Sequence, residues 1–458
     1  MVGNPFLKAM EISKGTVSIL DKECEVYSRI WCIYELYKSL MDKEADYKFD
    51  VYTEHDWEYN HERIDFPKDS GTAIGLIDGF IDADNQYGIP NPTFKQLRES
   101  QFPLERILKA SAIDIKKAVA SEARDEKYIK NTIINQNEVD DPPEHHENYE
   151  KLNNVIRGFF VSSNLQRIVR DRSIEFDRKL IYFDILKKSR ATVVYLNMYG
   201  FSQFNDPLAI QIAGNLPSTI KTFTIISDGS SVTQHGIQTI FKSLANLTNL
   251  EMLVLQKNNI NDENCLVLAD IIRNNQNIKE VDLRDNKIGY KGVKAISNAL
   301  KYNNSVKILV LNNNQISVDG AIILADALGL KKSLKILGLL NNKIGDEGAK
   351  AIANIMKFSS SLEDLELGRN GITDEGGKIL AAALKLNKSL TKLGLDMNNL
   401  SVEGAKEIAE SAGACTGLAY LSLRGCHLSY SVCKDISVFL REKGVQFKYG
   451  LSFYDKEQ

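Results

Sequence analysis

A glutamate near the start of the chain has neighbours that suit acid–base chemistry. The segment from Ser28 to Leu36 reads Ser-Arg-Ile-Trp-Cys-Ile-Tyr-Glu-Leu and follows a predicted buried strand, so we expect it to form a helix. Glu35 lies close to Trp31 in this segment, and an indole can shield a carboxylate from water. A shielded carboxylate can transfer a proton or stabilise a developing positive charge. In the alternative interpretation, Trp31 and Cys32 are core residues and Glu35 is a solvated helix residue.

A pair of histidines is a second candidate for chemistry, here as metal ligands. His145 and His146 lie close to Asp140, Asp141 and Glu144 in an acidic stretch that also contains two adjacent prolines. Imidazole and carboxylate groups bind metal ions, but this composition is more typical of a flexible acidic loop. We therefore expect no metal at this position.

The cysteines show no disulfide framework and no zinc motif. Cys415, Cys426, His427 and Cys433 lie close in sequence, but their spacing matches neither a zinc ribbon nor a zinc finger. All six cysteines of the chain are scattered, mostly within apolar patterns, which is typical of buried thiols in a reduced protein.

The segment around Glu35 resembles a motif of Toll/interleukin-receptor (TIR) domains, S-R-x-W-C-x-x-E-L. In TIR domains that cleave NAD the glutamate at this position is catalytic, so the resemblance implies Glu35 as the catalytic residue of an NAD hydrolase. The resemblance covers residues 12–55, and one predicted strand precedes the motif where a TIR domain places several elements. We therefore expect a partial TIR-like domain without catalytic activity or cofactor.

Residues 1–135 are predicted to form this partial TIR-like α/β and helical domain. Thr16–Leu20 and Lys48–Tyr52 read as strands on either side of a helix, and this spacing predicts a parallel pair. Ala73–Ile81 is predicted to be helical. Residues 136–190 are predicted to be an acidic loop followed by a helical connector.

The remainder of the chain, residues 191–458, has a sequence period of 28 residues. The pattern L-x-x-L-x-L-x-x-N-x-[IL], with conservative replacements, starts seven times without an insertion at Leu250, Ile278, Val306, Leu334, Leu362, Leu390 and Leu418. Such a period predicts a solenoid whose units bury their core only against one another. Two degenerate units, Val193–Met198 and Ile220–Ile225, are expected to cap the array.

Each unit is predicted to be a short strand followed by a helix. The asparagine of the pattern could bond the backbone of its own coil and of the next one. This predicted ladder consists of Asn258, Asn286, Asn314, Asn342, Asn370 and Asn398, with Cys426 in the last unit. The unit resembles the ribonuclease-inhibitor type of leucine-rich repeat, which implies an α/β solenoid with parallel strands on a concave face and helices on a convex face.

Function is expected on the strand residues that face outward. Ile308, Val310, Ile336 and Leu340 are predicted to form an apolar patch across neighbouring units. The charged side chains that flank this patch are Glu280, Asp282, Arg284, Asp364 and Glu366. An exposed apolar patch with a polar rim often marks a protein partner site. The alternative is that another segment of this chain covers the patch.

Composition gives no reason to expect nucleic acid or a membrane as partner. The chain has 57 basic and 60 acidic side chains, a formal net charge of −3. It has no G-x-x-x-x-G-K-[ST] segment and no apolar run of about 18 residues, the length that spans a bilayer. The first residues lack the basic-then-apolar order of a signal peptide. We therefore expect a cytoplasmic protein that binds proteins.

Four functions remain open. The first is a non-enzymatic scaffold that docks a partner on the concave face, and the second is a TIR-like NAD-cleaving signalling protein with a repeat sensor. The third is a small-GTPase regulator, because GTPase-activating proteins of the Ran class share this repeat type; Arg284, Arg369 and Arg424 would be the candidate rim arginines. The fourth is a structural subunit of a large cytoskeletal assembly such as the ciliary axoneme, where repeats of this type are common.

Overall fold

The computed structural model describes most of the chain after residue 103 and five short strands before it. The described residues are 15–20, 48–53, 74–77, 85–86, 89–90, 104–120, 123–137, 140–228, 232–329 and 331–449. The chain divides into two compact units, the first comprising 1–196 with 215–220 and the second comprising 197–214 with 221–458. Within the described ranges, no helix is long and apolar enough to cross a membrane.

The first unit contains short strands near its start. These are β1 (Gly15–Leu20), β2 (Lys48–Thr53), β3 (Ile74–Ile77), β4 (Asn85–Gln86) and β5 (Ile89–Pro90). The predicted parallel pairing of the first two strands is confirmed. The helix predicted over Ala73–Ile81 is wrong where it overlaps β3, which pairs antiparallel with β2. β3 reads Ile-Gly-Leu-Ile; its two β-branched isoleucines favour a strand, and glycine is a poor helix former.

Five α-helices follow in the described part of the first unit. They are α1 (Leu104–Ala110), α2 (Ala123–Ile134), α3 (Glu147–Ser163), α4 (Leu165–Arg170) and α5 (Phe176–Lys188). On α3, one face carries Tyr149, Leu152, Ile156 and Phe160, none more than 1% exposed. This is the helical spacing of a core-facing stripe. Strand β6 (Val193–Asn197) follows α5 and reaches the division between the units.

Strands and helices alternate through the second unit. The strands are β7 (Thr222–Ile226), β8 (Met252–Gln256), β9 (Glu280–Asp282), β10 (Ile308–Val310), β11 (Ile336–Gly338), β12 (Asp364–Glu366), β13 (Lys392–Gly394), β14 (Tyr420–Ser422) and β15 (Gln446–Lys448). The helices are α6 (Asp206–Gly214), α7 (Gln234–Leu244), α8 (Asp262–Asn274), α9 (Tyr290–Tyr302), α10 (Val318–Leu328), α11 (Gly345–Phe358), α12 (Asp374–Leu386), α13 (Val402–Ala414) and α14 (Tyr430–Glu442). This alternation confirms the predicted α/β repeat array.

The parallel sheet of the second unit keeps the register of the sequence period. Strands β7 to β15 pair in chain order, each with its neighbour. From β8 to β14 each residue lies opposite the residue 28 positions further along, as Ile308 does with Ile336. Leucines at the inward positions, such as Leu337 and Leu339, are fully buried, as is Ile352 on the facing helix α11. The core therefore forms one layer between the sheet and the helices.

The pattern asparagines join each coil to the one before it. Asn286 Nδ2 donates to Leu283 O of its own coil and to Leu255 O of the preceding coil, both at 2.8 Å. Its Oδ1 accepts from Asn258 N at 3.1 Å and from Ile260 N at 3.0 Å, both in the preceding coil. One side chain thus pairs four backbone groups that would otherwise be buried without partners.

The same bonds recur along the ladder, but in the opposite direction from the prediction. The side chains that also bond the backbone of the preceding coil are those of Asn314, Asn342, Asn370 and Asn398. The sequence had predicted bonds to the next coil instead. The reason is a left-handed turn: the residue before each ladder asparagine has a positive φ, for example +59° at Asp285. The N–H groups at this turn donate to the asparagine of the next coil, as Asn258 N and Ile260 N do to Asn286 Oδ1. Cys426 Sγ takes over one bond in the last unit, to Leu395 O at 3.3 Å.

A second ladder, not predicted from the sequence, lies where each helix turns into the next strand. Asn275 Nδ2 donates to Leu247 O at 3.0 Å, and Asn303 Nδ2 donates to Ile272 O at 2.7 Å. The residues at the same place in other coils that donate to the backbone of the preceding coil are Lys331, Asn387 and Cys415. Two rows of bonds, one at each end of the strands, therefore fix the stacking of the coils.

We predict that Asn342→Ala destabilises the repeat array by about 2–4 kcal/mol, because it leaves buried backbone groups unpaired. Asn342 pairs Leu311 O, Leu339 O and Ile316 N, and only 7% of it is exposed. Urea unfolding measures the change. The matched control is Asn354→Ala on the exposed face of α11, expected to change stability by less than about 0.5 kcal/mol. Equal effects of the two substitutions would contradict the ladder's role.

Candidate functional site on the strand face

The strand face, defined as the side of β8–β14 turned away from the core, presents three rows of residues. The first row is Met252, Glu280, Ile308, Ile336, Asp364, Lys392 and Tyr420. The second row is Val254, Asp282, Val310, Gly338, Glu366, Gly394 and Ser422. The third row, at the same period, is Gln256, Arg284, Asn312, Leu340, Gly368, Asp396 and Arg424. Neighbours in a row are about 4.8 Å apart, so a partner meets several strands at once.

The apolar patch, made of Ile308, Val310, Ile336 and Leu340, lies on or beside β10 and β11. Ile308, Ile336 and Leu340 are partly exposed, whereas Val310 is buried with 8% of its surface exposed. Val310 differs from the expectation because it leans over Gly338, where a Cβ atom would lie 3.1 Å from Val310 Cγ1. The accessible apolar surface is therefore that of the two isoleucines and Leu340.

Glycines on the strand face make room for side chains of the preceding coil. A Cβ atom at Gly368 would lie 2.6 Å from Leu340 Cδ1, and one at Gly394 would overlap the carboxylate of Glu366. Both side chains therefore lie along the sheet instead of projecting from it. The sequence contains this signal, since each glycine stands one period after the larger residue, but only the structure shows that the larger side chain lies over the glycine.

On the β9 side of the patch the charges are paired with one another. Arg284 Nη2 lies 2.7 Å from Asp282 Oδ2, and Gln256 Nε2 donates to the same oxygen at 2.9 Å. Asp282 is 2% exposed, so its charge is compensated within the array. Burial, and then the charge of Asp282, raise the pKa of Glu280 to about 7, against an opposing effect of Arg284. The ion pair with Asp282 also holds Arg284 against the strand face.

On the β12 side three carboxylates come together as an acidic cluster, Asp364, Glu366 and Asp396. Burial, followed by the charges of Asp364 and Asp396, raises the pKa of Glu366 to about 7. Burial also raises the pKa of Asp364, whose Oδ2 lies 3.8 Å from Lys392 Nζ and whose Oδ1 is buried without a hydrogen bond. Asp396 Oδ1 accepts from Arg424 N at 2.8 Å and from the Ser422 hydroxyl. Three carboxylates are thus concentrated here, and the charges of Lys392 and Lys448 oppose the rise in the pKa of Glu366.

The other predicted candidates lie away from this face. Glu35 falls outside the described residues, so its implied catalytic role stays a prediction. His146 Nδ1 accepts from Asn148 N at 3.1 Å and caps α3, while His145 Nδ1 lies 3.2 Å from Lys116 Nζ. Within the described ranges, no group of three or more histidines, cysteines or acidic residues is arranged to hold a metal ion. The described cysteines are buried and unpaired.

Comparison with known families identifies the repeats. Residues 274–297, 302–325, 331–353, 358–381 and 386–409 match the leucine-rich repeat family model. The chain therefore contains leucine-rich repeats, and the five matches cover the coils that carry the apolar patch and the acidic cluster. No curated protein sequence matches the chain.

Three solved structures resemble parts of the chain. The actin-binding site 2 of leiomodin-1 is 22% identical and covers 34% of this chain and 87% of its own, with a TM-score of 0.30. The C-terminal domain of a Caenorhabditis elegans tropomodulin is 17% identical and covers 33% and 92%, with a TM-score of 0.28. An internalin from Listeria monocytogenes is 17% identical and covers 59% and 75%, with a TM-score of 0.36.

We predict that Glu366→Gln stabilises the protein at pH 8 and leaves its stability unchanged at pH 4. The raised pKa of Glu366, about 7, means that the folded state resists ionisation. The stability that protonated Glu366 contributes is therefore complete below the unfolded pKa near 4.5 and is lost as pH rises through about 7. At about 1.4 kcal/mol per pKa unit the gain at pH 8 is at most about 3 kcal/mol.

Urea unfolding of both proteins from pH 4 to 8 measures this difference. Glu375→Gln, on the exposed start of α12 in the same coil, is the control and should follow the wild type across the range. A constant difference between wild type and Glu366→Gln at every pH would contradict the raised pKa.

Proposed function

We propose that this protein is a non-enzymatic scaffold that binds a protein partner on the strand face of its leucine-rich repeats. The observation that carries the proposal is the apolar patch, bordered on one side by paired charges and on the other by the acidic cluster. Exposed apolar surface with a polar border is typical of partner sites. Repeat arrays commonly use such a continuous face for binding.

The two borders of the patch favour a partner that is apolar and basic. An apolar side chain would lie against Ile308 and Ile336, where no charge has to be desolvated. A lysine or arginine one or two strands further on would meet Asp364 and Glu366, about 5–10 Å away along the sheet. Such a cation offsets the cost of burying these carboxylates, whereas the Asp282–Arg284 pair offers no comparable gain.

The repeat subtype and the setting are finer parts of the proposal. A helix of 13 residues or so in each 28-residue unit, as in α12, supports the ribonuclease-inhibitor type of repeat. A face that spans several coils also suits a structural subunit of a large cytoskeletal assembly such as the ciliary axoneme, because such subunits contact neighbours continuously.

We expect the double substitution Ile308→Glu/Ile336→Glu to abolish partner binding, because it adds negative charge and removes the apolar contact. Tagged wild-type and variant chains are compared by affinity purification with quantitative mass spectrometry. Proteins that bind the strand face should be depleted at least about tenfold in the variant, the effect of about 1.4 kcal/mol in binding.

The control is Ile322→Glu, which places the same charge on an isoleucine that is 44% exposed on helix α10. Circular dichroism melting of all three proteins excludes unfolding as the cause. If every wild-type interaction survives in the double variant, or if the control loses the same proteins, the strand face is not the binding site.

A further inference from the structure

A row of exposed apolar side chains follows the helix ends of the second unit. Tyr302, Phe358 and Leu386 are the last residues of α9, α11 and α12, and they are 68%, 67% and 58% exposed. Their numbers differ by multiples of 28, so they occupy the same place in different coils. In the sequence Leu330 takes this place in the intervening coil, and it lies outside the described residues. Single exposed apolar residues are ordinary, but a row at one register is not.

The turns that bear this row are basic. Together with the turn before the row, we call their described residues the helix-exit edge: 273–277, 301–305, 329–333 without 330, 357–361 and 385–389. Their charged residues are Arg273, Lys301, Lys331, Lys332, Lys357, Lys385 and Lys388, and none of the five segments contains aspartate or glutamate. Lys331 is turned to the backbone of the preceding coil as part of the second ladder, which leaves the other six exposed.

Cations and rings are in contact on this edge. Arg273 lies 5.4 Å from the centre of the Tyr302 ring, and Lys357 lies 5.3 Å from the centre of the Phe358 ring. Such cation–π contacts hold the rings at the surface beside positive charge. The ends of the row are also defined, because Asn274 and Ala414 replace the large apolar residue in the coils before and after it.

We propose that the helix-exit edge binds an acidic amphipathic α-helix of a protein partner, with one apolar side chain of that helix per coil. Helices of adjacent coils pack about 8–10 Å apart. Two turns of an α-helix rise about 10.8 Å, so a helix lying across the coils with an apolar residue at every seventh position matches the row. Glutamates and aspartates flanking that seam meet the exposed cations of the edge, of which Lys301 already pairs with Asp326 on α10 at 2.7 Å.

The arrangement favours a helix over an anionic membrane. A membrane-bound surface gains most from a broad apolar face that enters the lipid. Among the described residues the apolar side chains of this row stand singly, one or two coils apart, with cations between them, which is the pattern of a narrow helical seam. The edge is also separate from the strand face, so this proposal does not depend on the function proposed above.

The test uses the full chain and a synthetic peptide of about four heptads, a length that spans four coils. The peptide carries leucine at every seventh position and glutamate on both sides of the seam. A control peptide of identical composition has its leucines at every fifth position, which scatters them around the helix. Fluorescence anisotropy should show at least about tenfold tighter binding of the heptad peptide. Equal affinity for the two peptides, or no binding of either, would overturn the proposal.

Surface variants locate the binding. Phe358→Ser/Leu386→Ser should reduce the affinity for the heptad peptide to that of the control peptide. Leu266→Ser on α8, where the leucine is 60% exposed away from the edge, should leave it unchanged. A loss that is the same in both variants, or absent in the first, would refute the assignment to this edge.

Further variants test whether the cations of the edge contribute to peptide binding and whether the edge binds lipid vesicles. Lys385→Glu/Lys388→Glu should weaken peptide binding, whereas Lys350→Glu/Lys406→Glu, at exposed positions on α11 and α13, should not. Phosphatidylcholine vesicles with and without about 30% phosphatidylserine serve as the membrane probe. The edge would be assigned to a membrane instead if two results occurred together. The protein would bind the phosphatidylserine vesicles and lose this binding in Lys385→Glu/Lys388→Glu, and it would show no preference for the heptad peptide.

Discussion

The structure depends on pairing buried backbone groups between coils, and the pattern asparagines do this at the end of every strand. At the left-handed turn after each short strand, backbone N–H groups such as those of Asn258 and Ile260 are paired by the asparagine of the next coil. The side chain of Asn286 supplies two donors and two acceptor sites at once. Any insertion would move the asparagine away from the groups it pairs, which accounts for the strict period.

This constraint separates scaffold from surface. Because the ladders and the inward leucines fix the coils, residues on the strand face can vary without loss of the fold. Neighbouring coils still interact there through space that glycines provide, as where Glu366 lies over Gly394. The raised pKa of Glu366 follows from this arrangement, since the carboxylate is laid down beside two others instead of extending into water. The electrostatic character of the face is therefore a product of coil stacking as well as of composition.

The sequence predicts what the period alone determines. It locates the buried leucines, the strand register and the ladder residues, because these repeat in every coil. It does not predict that Val310 is buried, since that depends on Gly338 in the next coil, nor that the asparagines reach backwards, since that depends on the turn. The row of Tyr302, Phe358 and Leu386 was not predicted, although the same 28-residue period is visible in the sequence at these helix ends. In β3, without a period, local propensity was the only guide and the predicted helix was wrong.

The formal net charge of −3 conceals a strong segregation of charge. A repeat sorts residues by their place in the unit, so charges of one sign can gather on one surface while the sum stays near zero. The acidic cluster arises where three carboxylates fall in neighbouring coils, and the helix-exit edge arises where five successive turns contain basic residues and no acidic ones. At physiological ionic strength, salt screens electrostatic interactions over about 8 Å, which is less than the length of the acidic cluster or of the helix-exit edge. Each of these two surfaces therefore presents its own electrostatic field to a partner. For a periodic protein the informative quantity is therefore the charge at each position of the unit, because partners meet surfaces and not the sum.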